Sequence, residues 1–100
     1  MAKLPIQDYL ENLANTQNVY FEPPESFKMV YPCIRFSLDG FDNRLANDDI
    51  FIQKRVYEIV VIDRHVKSDI ADRLSSTLGF RFVRKYTAEN LHHTIFRLSY

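Results

Sequence analysis

The residues with chemical potential in this chain are few and poorly spaced for catalysis. There are three histidines, His65, His92 and His93. His92 and His93 are adjacent, and neighbours on a strand point to opposite faces, so the pair is badly placed to share a metal. No HExxH or CxxC is present. Cys33 is the single cysteine, which excludes an internal disulfide and a cysteine-built zinc site within one chain. It sits in an apolar run, where a thiol reads as a small buried hydrophobe. Ser75 and Ser76 lack a nucleophile-elbow motif. Two glycines are too few for a GxGxxG phosphate loop. Asp39, Asp42, Asp48 and Asp49 cluster, but neither the D-x-D-x-D-G spacing nor the closing glutamate of an EF-hand accompanies them. The expectation is a protein without catalytic residues, cofactor or metal. A small hydrolase is the least favoured reading, for want of any nucleophile and base in a pair.

One basic stretch remains. Arg81, Arg84 and Lys85 interleave with Phe82 and Tyr86, a pattern shared by RNA-binding sheets. A solvated or interface-facing strand explains it better. Overall charge argues against nucleic-acid binding, because 13 Lys and Arg balance 13 Asp and Glu.

The elements that carry these residues follow from periodicity. FIQKRVYEIVVID, Phe51–Asp63, is apolar on both faces around Glu58 and predicts a central strand covered on both sides. Ile6, Tyr9, Leu10 and Leu13 form one stripe, which predicts a helix over Pro5–Ala14. Pro5 suits its first turn, and Asn15 or Asn18 ends it. Val19-Tyr20-Phe21 is a short apolar piece the size of a small edge strand. Pro23-Pro24 then demands an extended connector. Met29–Leu38 reads as a strand with Pro32 at its start. Ser68 caps a second helix, with Ile70, Leu74, Thr77 and Leu78 as its stripe and Gly79 as its stop. Phe80–Tyr86 and Leu91–Tyr100 form a hairpin across a short turn. In the first of these, Phe80, Phe82, Arg84 and Tyr86 alternate against Arg81, Val83 and Lys85.

The fold class expected is α+β. It is a single domain over 1–100, in the order α-β-β-α-β-β, with a mainly antiparallel sheet and two helices packed on it. The stretch Asp39–Ile50 is too polar to read as strand and is expected to be a long mobile loop. MAKLPIQDYLENL lacks the apolar core of a signal peptide, and no apolar run approaches the about 20 residues of a membrane span, so no membrane partner is expected. The hydrophobic share is 46% and the aromatic share 14%, which argues for a folded chain with a thin core.

Three stretches together resemble one family: VYFEPPESFKMVYPCIRF (Val19–Phe36), LANDDIFIQKRVYEIVVIDRHVKSDIADRL (Leu45–Leu74) and FRFVRKYTAENLHHTIFRLSY (Phe80–Tyr100). In order and spacing they are similar to the small tail terminator, or tail-completion, proteins of long-tailed bacteriophages. YPCI at Tyr31–Ile34, RVYEIVVID at Arg55–Asp63, the Ser-Asp-Ile helix start and YTAENLHH at Tyr86–His93 carry most of the likeness. The chain departs from the family pattern at Arg35, Ser37 and Phe80-Arg81.

The resemblance implies a structural virion protein that assembles as a ring of identical copies, typically a hexamer. Such a ring caps the tail tube at its head-proximal end in particles assembled in the host cytoplasm. Its implied partners are the tail tube protein, the head connector proteins and DNA that passes through the lumen without sequence-specific binding. A head-closure or neck connector of the same particle is the close alternative. A small nucleic-acid-binding module using Arg81–Tyr86 is the alternative from another class. Contacts to partners are expected at Asp42, Arg44, Asp48, Asp49, Arg55, Arg81 and Arg84. The acidic excess of the polar stretch would repel passing DNA, as suits a conduit.

Overall fold

The central strand is where the sequence puts it. In the computed structural model, which describes residues 5–46 and 50–100 (for 42–46 and 50–53 the backbone only), five strands form one sheet in the order β1-β2-β3-β5-β4. The elements are α1 (Pro5–Ala14), β1 (Val19–Phe21), β2 (Cys33–Ala46), β3 (Ile50–Asp63), α2 (Asp69–Ser75), β4 (Phe80–Ala88) and β5 (Leu91–Ser99). β3 stands third of five, and its two faces feed two cores.

Tyr57, Ile59 and Val61 point to the face covered by both helices. They pack with Ile34 and Phe36 of β2, Phe96 and Leu98 of β5, Ile6 and Leu10 of α1, and Ile70 and Leu74 of α2. Val60 and Ile62 point the other way and join Cys33 and Ile95 under Tyr20, Met29, Tyr31 and Leu91. Among the described residues no helix covers this second face. The connector between β1 and β2 folds over it, with Met29 and Tyr31 supplying the cover. Each fully buried Ile, Val or Phe here contributes about 1.5–3 kcal/mol relative to an exposed one.

α1 ends where Asn15 adopts a φ of 54°, a left-handed residue of the kind that closes helices. The Ser68 hydroxyl accepts from the Ala71 amide and starts α2. Asp63 accepts from the His65 amide and so shapes the turn between β3 and α2, as its type and place imply.

Four expectations need correction. The sheet is antiparallel in three of its pairs, but Val19–Phe21, an edge strand as its size suggests, adds a fifth strand to the expected order and pairs with β2 in parallel, Val19 opposite Ile34 and Phe21 opposite Phe36. Its three residues were too short a run to fix an orientation. Second, the polar stretch Asp39–Ile50 is no loop up to Ala46. β2 runs on through it, and Phe41, Asp42, Asn43, Arg44 and Leu45 pair with Arg55, Lys54, Gln53, Ile52 and Phe51. β5 reaches only to Val56, so this part of the hairpin projects as a two-stranded ribbon. Its sequence, DGFDNRLA, has no apolar alternation that reads as strand. Residues 47–49 fall outside the described set.

Third, α2 stops at Ser75, short of the Gly79 stop. The hydroxyls of Ser75, Ser76 and Thr77 donate to the carbonyls of Asp72 and Arg73 and so compete with further helical turns. Leu78 is therefore not in the apolar stripe and is 98% exposed. Fourth, β2 begins at Cys33, directly after Pro32, and not at Met29.

Candidate assembly surface

β4 is a full-length strand with one neighbour. Its register with β5 sets Phe80 opposite Leu98, Arg81 opposite Arg97 and Phe82 opposite Phe96. A bulge follows. Val83 is the extra residue, and the pairing resumes with Arg84 opposite Ile95 and Tyr86 opposite His93. Two residues against one swaps the faces downstream. The expected set of Phe80, Phe82, Arg84 and Tyr86 on one side is thus split. Phe80 and Phe82 lie with Phe96 on the helix side, whereas Arg84 and Tyr86 share the opposite face with Arg81.

The turn that returns β4 to β5 is Glu89-Asn90, with φ of 53° and 64°. Two consecutive left-handed residues are the geometry of a tight two-residue hairpin whose twist matches its strands.

The outer edge of β4 meets no strand among the described residues. It also carries apolar side chains that the core does not cover. Phe82 is 58% exposed and Val83 44%. On the helix side, Val66, Ala71, Phe82 and Phe96 line a groove between α2 and β4. On the opposite face the cations gather. Arg81 and Arg97 stand directly opposite each other. Arg97 is drawn away by Asp39, its Nε 3.2 Å from the carboxylate. The Arg84 guanidinium lies 5.4 Å from the centroid of the Tyr86 ring. Arg35, on β2, lies on that same face.

The far edge of the sheet is built differently. β1 covers β2 only at Ile34, Arg35 and Phe36. Glu22 then turns the chain off the sheet at a φ of 42°, while its amide donates to the Phe36 carbonyl and its carboxylate accepts from the Leu38 amide. From Asp39 to Ala46, the edge of β2 away from β3 has no described neighbour. Phe21, Leu38 and Phe41 are exposed along this side.

The residues expected at partner contacts divide accordingly. Arg81 and Arg84 come together on one face of β4. Arg55 is on β3, exposed and opposite Phe41, and its carbonyl accepts from the Tyr100 amide at 2.8 Å. It lies on the helix-side face, apart from Arg81 and Arg84. Asp42 and Arg44 lie in the projecting ribbon, opposite Lys54 and Ile52. Asp48 and Asp49 are outside the described residues. Sequence reasoning missed Phe82, Val83 and Leu78 as surface residues, since nothing in type or spacing separates an edge aromatic from a core one.

The histidines stay apart. His92 and Thr87 hydrogen-bond at 3.1 Å on the helix side, and His93 stacks on Tyr86 on the other. Among the described residues no group of three His, Cys, Asp or Glu is placed to hold a metal ion. Burial pushes the Cys33 thiol up to about 11, the opposite of what a nucleophile requires. No helix among the described residues is long and apolar enough to cross a membrane. Comparison with models of known families and with curated proteins finds no match.

Proposed function

We propose that this protein is a structural subunit that assembles into a ring of identical copies, acting as the tail terminator of a long-tailed bacteriophage. The observation that carries the reading is the outer edge of β4, which pairs with no strand among the described residues and carries exposed Phe82 and Val83. A long open edge with apolar side chains is a surface that natural sheets cover, charge or pair. The projecting ribbon supports the same reading, because two strands without a third are marginal in water and gain from a partner.

In this role the ring sits at the head-proximal end of the tail tube and stops its growth. It touches the tube protein on one side and the head connector on the other, and DNA passes through it without sequence-specific contacts. Deleting the gene in its phage should give overlong or headless tails. Virions of normal appearance would refute the role. Density at the last ring of the tube, as against density on the portal, separates a terminator from a head-closure protein.

A second reading has an observation of its own. Arg35, Arg81, Arg84 and Arg97 share one sheet face with Tyr86, a basic surface beside an aromatic ring that could take single-stranded nucleic acid. It requires salt-dependent binding that weakens when Arg81 and Arg84 become Ala. Absence of binding at low salt removes it.

A further inference from the structure

The two open edges of the sheet are made to fit one another, and we infer that β4 of one copy pairs with the Asp39–Ala46 edge of β2 in the next, continuing the sheet from subunit to subunit. This deepens the ring reading and rests on it.

Direction is the first argument. β2, β3, β5 and β4 alternate strictly, each antiparallel to the one before. β4 therefore runs opposite to β2. A second copy set beside the first in the same orientation brings its β2 alongside β4 as an antiparallel neighbour, with both helix layers on the same side. Such a contact is head-to-tail and uses two different edges, the kind that closes into rings.

The side chains on the two edges match face by face. On the helix side β4 offers Phe82, and the far edge offers Leu38 and Phe41, all exposed. On the other side β4 offers Arg81 and Arg84. The far edge has Asp39 there, whose exposed ion pair with Arg97 of its own subunit leaves the carboxylate open to a second cation, and Asp42 follows in the sequence. β4 holds Arg81, Arg84 and Lys85 and no acid, whereas the strand Asp39–Ala46 holds two aspartates and one arginine. Pairing β4 with itself about its middle residue would set Arg84 against Arg84, and like charges directly opposite destabilise a sheet. Charge thus disfavours the two-fold dimer and favours the head-to-tail chain.

Geometry adds a stagger. β4 lies level with the β1 end of β2, since Phe80, Leu98, Tyr57 and Leu38 form one row across the sheet. β1 blocks that end, so β4 must slide along β2 to reach the open stretch beyond Leu38. A repeated slide of this kind is the shear by which a sheet closes on itself.

Paired cysteines test the contact. Cys33 is fully buried and does not compete. One variant carries Phe82→Cys with Phe41→Cys. A second carries Val83→Cys with Gly40→Cys, where an added Cβ meets nothing within 4 Å. After mild oxidation, non-reducing gels of at least one double variant should show a ladder of linked dimers, trimers and higher species, reversed by reductant and absent from the single variants. Dimers from Phe82→Cys or Val83→Cys alone would mean β4 meets itself, which overturns the pairing. Rings in negative stain with no ladder from either double variant would overturn the pairing and leave the ring reading standing. Wild-type monomers alone in native mass spectrometry would overturn both.

Discussion

The ring of Tyr86 lies flat on that of His93, with centroids 4.6 Å and planes 6° apart. The bulge at Val83 makes this possible, because it turns Tyr86 to the face His93 occupies. Burial lowers the His93 pKa below 6.5, against a raising effect from its bond to the Leu91 carbonyl and a further lowering from Arg35. A base with a depressed folded pKa resists protonation that the unfolded chain accepts. Its stabilising contribution is therefore present above 6.5 and is lost as pH falls through the folded pKa. Tyr86→Ala uncovers the imidazole and should move the His93 pKa back toward 6.5 in an NMR titration. An unchanged pKa would show that the stack is not the source of the burial.

Arg81 faces Arg97 across the β4–β5 pair. Arg81→Glu replaces a like charge with an opposite one beside Arg97, which Asp39 already engages, and should stabilise the isolated subunit by at most about 0.5 kcal/mol in urea unfolding. The same change removes a cation from the edge proposed to meet Asp39 and Asp42 of a neighbour, so assembly should weaken. A subunit that gains stability while losing oligomer separates the surface role of Arg81 from a structural one. Loss of both, or of neither, would contradict it.

Glu89 holds a φ of 53° in the hairpin turn. Left-handed backbone costs a residue with a Cβ roughly 1–2 kcal/mol, and asparagine tolerates it best after glycine. Glu89→Asn should raise the unfolding midpoint, equivalent to about 1 kcal/mol or less. An equal or lower midpoint would mean that Glu89 makes a compensating interaction.

Cys33 should behave as a core residue. Desolvation raises its pKa from 9.0 to about 11, with Arg35 lowering it and Asp63 raising it to lesser degrees. The unfolded thiol ionises first as pH rises, so stability from this group is full below 9.0 and is lost as pH climbs toward 11. Native protein should react slowly with a thiol reagent at pH 8 and rapidly in denaturant. Cys33→Ser, which buries a hydroxyl in an apolar site, should cost about 1–3 kcal/mol. Fast labelling of the native state would contradict the placement.

Much of the fold was legible where burial imposes a period. The stripe of Ile6, Tyr9, Leu10 and Leu13, of which Ile6 and Leu10 are buried and Tyr9 and Leu13 partly so, and the two-sided character of Val56–Ile62 both follow from faces that must be covered. Ser68, Asp63 and the paired prolines announced their local roles by type. What was not legible lies where burial stops dictating. The Asp39–Ala46 half of β2 pairs with β3, yet its polar sequence gave no strand signal. One inserted residue, Val83, reversed the faces of Arg84 and Tyr86, and a bulge of an ordinary residue leaves no mark in composition. Leu78 kept the helical spacing of the stripe although serine and threonine hydroxyls had already ended the helix. The candidate surface suffered most, because an edge strand is defined by the neighbour it lacks, and that is a property of the sheet order.

The central claim is that this chain works as a closed assembly of identical copies, and the oligomeric state tests it most directly. Native mass spectrometry at micromolar concentration, alone and with tail tube protein, should show one discrete closed oligomer. Phe82→Asp should shift that signal to monomer while the subunit stays folded by circular dichroism. Monomer as the sole species of the wild-type protein under both conditions would contradict the account.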